Sequence, residues 1–90
     1  MIAQLRGFKE VAENKAKATF WILDDNCNYL TEIKLNYLAI VDNDLHTERI
    51  YNAVKNDLGE DIDLGDVDWT SCKKTYADLQ KFNEKYNVSQ

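Results

Sequence analysis

Between Thr31 and Asn36 polar and apolar residues alternate strictly, with Thr31, Ile33 and Leu35 on one side and Glu32, Lys34 and Asn36 on the other. That is the period of a half-buried β-strand. From Tyr37 to Val41 both sides turn apolar, as in a strand covered on both faces at its far end. Residues 29–41 are therefore the stretch against which the rest of the chain must pack. Residues 18–23, Ala-Thr-Phe-Trp-Ile-Leu, have the β-branched and aromatic content of a second strand. The run Asp24-Asp25-Asn26-Cys27-Asn28 between them reads as a hairpin loop, because Asp and Asn supply turn-forming side-chain bonds and tolerate positive φ.

The period changes after Asp42. Ile50, Val54 and Leu58, flanked by Tyr51, recur at helical spacing over residues 45–58, with Asp44 placed as an N-cap and Gly59 as a stop. A second helix is expected over residues 70–86, where Cys72, Tyr76, Leu79, Phe82 and Tyr86 form a stripe capped by Asp68 or Thr70. Residues 2–16 fit two patterns. Ile2, Leu5, Phe8 and Val11 or Ala12 recur at helical spacing, and residues 10–18 are rich in Ala, Glu and Lys, so a helix is expected. Gly7 argues against it, and the alternative is a third strand turning at Glu13-Asn14-Lys15. The architecture that follows is a single α+β domain over residues 1–90: a small antiparallel sheet built on the hairpin and packed by two C-terminal helices, in the order βββαα if the first segment is a strand.

A chain of 90 residues buries somewhat over ~60% of its unfolded surface, enough for one modest core. It contains no proline, against an ordinary ~5%, which excludes Pro-rich linkers. Residues 1–7 lack the basic and apolar regions of a signal peptide, and no apolar run approaches a membrane span of ~20 residues. A cytoplasmic protein is expected, with Cys27 and Cys72 as free thiols too far apart for a C-x-x-C pair.

Charge is unevenly placed. The net charge is -5, yet between Asp42 and Asp68 nine acids stand against Arg49 and Lys55, a local excess of -7, while the remainder sums to +2. Such a balance argues against direct nucleic-acid binding, which calls for a basic stripe, and against docking on an anionic membrane. Asp61, Asp63, Asp66 and Asp68 sit at alternating positions of an acidic and apolar segment. In an extended chain each pair shares a face at a repeat of about 6.5 to 7 Å. With Asp57 and Glu60 they are the candidate partner-binding surface, and Trp69 is the candidate aromatic anchor. The partner that fits is a larger protein with a basic groove.

The residues that suggest chemistry fall short of a catalytic set. Counted from Asp61 as a calcium loop, Gly65 falls fifth and Cys72 twelfth, where the EF-hand pattern wants Gly sixth and Glu twelfth. His46 follows Asp42 and Asp44 at alternate positions, a possible metal set, but reads more simply as an exposed residue in the first turn of a helix. There is no G-x-S-x-G elbow and no Gly-rich phosphate loop. Asp24 and Asp25 share one solvated turn, without the split environments that acid–base work requires. No enzyme activity, metal or cofactor is expected. The expected function is that of a small acidic binding protein that inhibits or regulates its partner, a form that phage-encoded inhibitors of host defence nucleases take. The alternatives are an assembly module acting by self-association and, behind it, a small metal-dependent regulator or enzyme.

Overall fold

The computed structural model describes residues 1–38, 43–59, 65 and 67–86. Its elements run β1 (Ile2–Ala12), β2 (Lys15–Leu23), β3 (Tyr29–Tyr37), α1 (Asn43–Leu58), β4 (Val67–Asp68) and α2 (Lys73–Tyr86). The chain is an α+β fold of order βββαα with a short extra strand between the helices. Strand order in the sheet is β3-β2-β1-β4. β1, β2 and β3 form an antiparallel meander, and β4 adds to β1 in parallel, with Ala3 opposite Val67 and Gln4 opposite Asp68.

Two expectations need correction. The helix expected over residues 2–16 does not form, and the alternative, a third strand turning at Glu13-Asn14-Lys15, does: the segment is β1, its turn and the start of β2. The register of β1 against β2 shifts between Leu5 and Gly7. This bulge inserts an extra residue and lets Leu5 and Phe8, three apart, share the covered side of the sheet. A bulged strand thus imitates the spacing of a helix. The sheet is also not purely antiparallel, because two-residue β4 is too short to show a period. The remaining elements lie close to expectation, with α1 beginning at Asn43 and α2 at Lys73. The far end of the expected strand, residues 39–41, lies outside the described residues.

Both helices pack on one face of the sheet. That face carries Ala3 and Leu5 of β1, Ala16, Ala18, Phe20 and Ile22 of β2, and Ile33 and Tyr37 of β3. α1 adds Ile50 and Val54, and α2 adds Leu79 and Phe82. Phe20, Leu5, Ile22, Ile50 and Val54 are the largest fully buried side chains, each stabilising the fold by roughly 1.5–3 kcal/mol. Over β1 the packing is aromatic: Phe8 meets Tyr37 and Phe82 edge-to-face, each at a centroid distance of 5.4 Å. Polar bonds fix the docking. Thr31 Oγ1 donates to Asp57 of α1 at 2.6 Å, Tyr37 Oη to Asn83 of α2 at 3.1 Å, and buried Thr75 to the Arg6 carbonyl at 3.3 Å. The last of these satisfies a backbone oxygen at the β1 bulge.

Candidate binding surface

The acidic segment is only partly in view. Glu60, Asp61, Asp63 and Asp66 lie outside the described residues, as do Asp42, the Asp44 side chain and most of the loop tested for calcium. The three remaining residues have structural partners. Asp57 accepts from Thr31. Asp68 Oδ1 accepts from the backbone N–H groups of Thr70 and Ser71 at 3.2 and 3.1 Å, shaping the turn into α2. Burial pushes the Asp68 carboxyl up, but bonds from Ser71, Thr70 and Gln4 outweigh it and hold its pKa below the ordinary value. Trp69 is half-buried and meets Phe20 at 5.5 Å and Tyr37 at 6.2 Å edge-to-face. Its open edge lines a groove of about 420 Å³ with Tyr76, Leu79, Gln80 and Asn83. Trp69 is thus partly buried, packed against the core on one side and open to the groove on the other.

The residues singled out for chemistry are likewise engaged. His46 is not exposed: it is 4% accessible, stacks on Tyr37 at 4.3 Å with the rings 13° apart, and has Nε2 3.2 Å from the Leu38 carbonyl. It lies one helical turn before Ile50, on the face that meets the sheet, while Leu58 at the other end of that face is exposed. Cys72 occupies the N-cap of α2, since its carbonyl accepts the first helical bond, from Tyr76 N at 2.9 Å. Its Sγ lies 3.1 Å from Thr75 Oγ1. The contact with the Thr75 hydroxyl and the bond with its backbone, aided by the Arg6 charge, hold the thiol pKa below its usual value. Asp24 is held low by bonds from the Asn28 and Asn26 backbones and organises the β2–β3 turn. Among the described residues no group of three or more His, Cys, Asp and Glu side chains could hold a metal ion. No helix among them is long and apolar enough to cross a membrane.

The feature that sequence reading missed is the opposite face of the sheet, which no described helix covers. Side chains there alternate with the core positions. Reading across the strands, Lys9, Lys17 and Asn36 form one row, Gly7, Thr19 and Lys34 the next, and Gln4, Trp21 and Glu32 a third. Lys15 extends the first end, and Tyr29 lies at the other with its ring edge-to-face on Trp21 at 5.4 Å. The Arg6 guanidinium sits 4.3 Å above the Trp21 ring centroid, steadied by a 3.1 Å bond from Nη1 to Gln4. Every Lys and Arg of the three long strands is on this side. The carboxylates on it are Glu32, bonded by Trp21 Nε1 at 3.2 Å and paired with Lys34 at 3.7 Å, and Asp68 at the β4 edge, held by the turn ahead of α2. The sequence signal was Lys15-Ala16-Lys17-Ala18-Thr19-Phe20-Trp21, whose alternation disappears once residues 2–16 are read as a helix.

No family model matches the chain, and no curated protein matches it at a significant level.

Proposed function

We propose that this is a small non-enzymatic binding protein of the cytoplasm that regulates or inhibits a larger protein by occupying its surface. The observation that carries this reading is the charge segregation: an excess of -7 between Asp42 and Asp68 against +2 over the rest of the chain. A partner with a basic, nucleic-acid-handling groove is complementary in charge to the acidic segment that includes Asp57, Glu60, Asp61, Asp63, Asp66 and Asp68, in the manner of phage-encoded inhibitors of host defence nucleases. Long-range attraction of this kind speeds encounter and fixes register. In the fold His46 packs on Tyr37, Cys72 caps a helix and Asp24 builds a turn.

The test is capture of partners from a cell extract at low and high salt, with the wild-type chain beside a variant carrying Asn at Asp61, Asp63 and Asp66. Basic proteins held at low salt and lost with the variant support the proposal. Equal capture by both chains overturns it. A second reading, self-association, is favoured by one observation: β3, nine residues long, is the sheet edge, with no further strand beyond it among the described residues. That reading requires a mass that rises with the chain's own concentration and is indifferent to the three substitutions.

A further inference from the structure

We infer that the sheet face that no described helix covers binds single-stranded nucleic acid, its lysine half holding phosphates and its Arg6–Trp21–Tyr29 half taking an unstacked base. The inference rests on the sheet face and is independent of the acidic flank. It departs from the expectation set by net charge.

The lysines are arranged for an anion outside the chain. Lys9 and Lys17 are direct cross-strand partners, and like charges in that position destabilise a sheet. Among the described residues no carboxylate lies within ion-pair distance of Lys9, Lys15 or Lys17. Alternate residues of one strand lie about 6.5–7 Å apart, and neighbouring strands about 4.8 Å apart. Lys9, Lys15, Lys17 and Lys34 therefore form a two-dimensional array of charges at the β1–β2 turn end of the face. The carboxylates facing the same side are Glu32 and Asp68, both already bonded, and Glu13 stands in the turn beyond Ala12.

The other half of the face offers π surfaces. The Arg6 guanidinium lies over the Trp21 ring, and Arg6 is exposed. Tyr29 is 55% accessible. Aromatic rings and guanidinium planes are the platforms on which splayed bases stack. An acidic peptide would satisfy the lysines but make no use of the platform. A single strand carries phosphates and π-faces at once. A duplex keeps its bases stacked inside, where the Arg6–Trp21–Tyr29 platform cannot take one. The net charge of -5 does not forbid the contact. Charges are screened beyond about 8 Å at physiological salt, and the narrower dimensions of the molecule are 23 and 21 Å.

The experiment is fluorescence anisotropy of a labelled twelve-nucleotide oligothymidylate titrated with the whole chain between about 50 and about 200 mM salt. Saturable binding is expected, with log K falling against log salt at a slope of about -2 to -3, the value for three or four phosphates on a single strand. The double variant Lys9→Gln, Lys17→Gln should lose affinity and flatten the slope by about 1.4, while melting no lower than wild type because a like-charge pair is gone. Tyr29→Ala should weaken binding about fivefold or more at every salt concentration and leave the slope unchanged. The inference is overturned by absence of binding at the lowest salt, by an unchanged slope in the lysine variant, or by oligoglutamate or a duplex of equal length competing as well as the single strand.

Discussion

His46 and Cys72 are the side chains whose chemistry most suggests reactivity, and the fold uses both for shape. His46 lies flat on Tyr37 and reaches the Leu38 carbonyl, so it joins the start of α1 to the end of β3. Replacing it with Ala leaves a hole beside Tyr37. His46→Ala should lower stability by about 2 kcal/mol or more in urea unfolding. Cys72 caps α2 through its carbonyl and its sulfur. A capping role has a distinctive signature, because Ser is a better N-cap than an aliphatic residue. Cys72→Ser should melt within about 0.5 kcal/mol of wild type, while Cys72→Val should lose about 1 kcal/mol. Equal loss in both variants would show that the sulfur itself, and not its place at the helix start, is what matters.

At the scale of elements, what the sequence made legible depended on how long a period ran without interruption. β3 and both helices declared themselves by several turns or repeats of one spacing, and the structure places them within a few residues of expectation. β1 did not, because its register shifts twice, between Leu5 and Gly7 and between Glu10 and Ala12. Each shift resets the alternation, so Leu5 and Phe8 fall at helical spacing while Val11 is left exposed. The cationic face vanished with that misreading, since strand alternation is what gathers Arg6, Lys9, Lys15, Lys17 and Lys34 on one side. In the linear sequence those bases are diluted by Glu10, Glu13 and Glu32. The acidic flank was legible as composition, but composition does not say which side a carboxylate faces or that Asp68 is held by a turn. The β1–β2 connection offers a test at this scale. Asn14 adopts φ 60°, and its buried Oδ1 has no hydrogen-bond partner among the described residues. A β-carbon costs about 1–2 kcal/mol in that left-handed region, and Asn is among the few residues that visit it routinely. Asn14→Ala should therefore destabilise by about 1 kcal/mol, whereas Asn14→Gly should be neutral or stabilising by thermal melting.

For the whole molecule, ionised side chains tie together parts of the chain far apart in sequence, and this fixes how stability depends on pH. Glu10 of β1 accepts from the Tyr86 hydroxyl and from Lys85 Nζ at 3.4 Å, joining the first strand to the last turn of α2. The Tyr86 bond and the Lys85 charge hold its pKa below the ordinary 4.5. Asp24 is held below its ordinary 3.8 by the Asn28 and Asn26 backbones, and Asp68 is held below 3.8, against its burial, by the Ser71 side chain and the Thr70 and Ser71 backbones. A carboxyl whose pKa is lower folded than unfolded contributes stability that is complete above its unfolded value and is lost as pH falls through the folded one. All three contributions therefore act at neutral pH and disappear together in acid. On the alkaline side the sign reverses. Burial raises the Tyr37 pKa above 10.0, and the bonds with Tyr86 and Glu10 raise that of Lys85 above 10.5. Those contributions are complete below the unfolded values and fade as pH climbs past them. Melting temperature followed by circular dichroism should show a plateau between these limits, with a fall below about pH 4.5. Glu10→Gln should melt lower on the plateau and converge toward wild type in acid, because the variant has already lost what protonation removes. Tyr37→Phe should give up its bond to Asn83 on the plateau and soften the alkaline fall. A Glu10→Gln curve that runs parallel to wild type down to the most acidic point would mean that the contact between β1 and the end of α2 does not contribute to holding the fold closed.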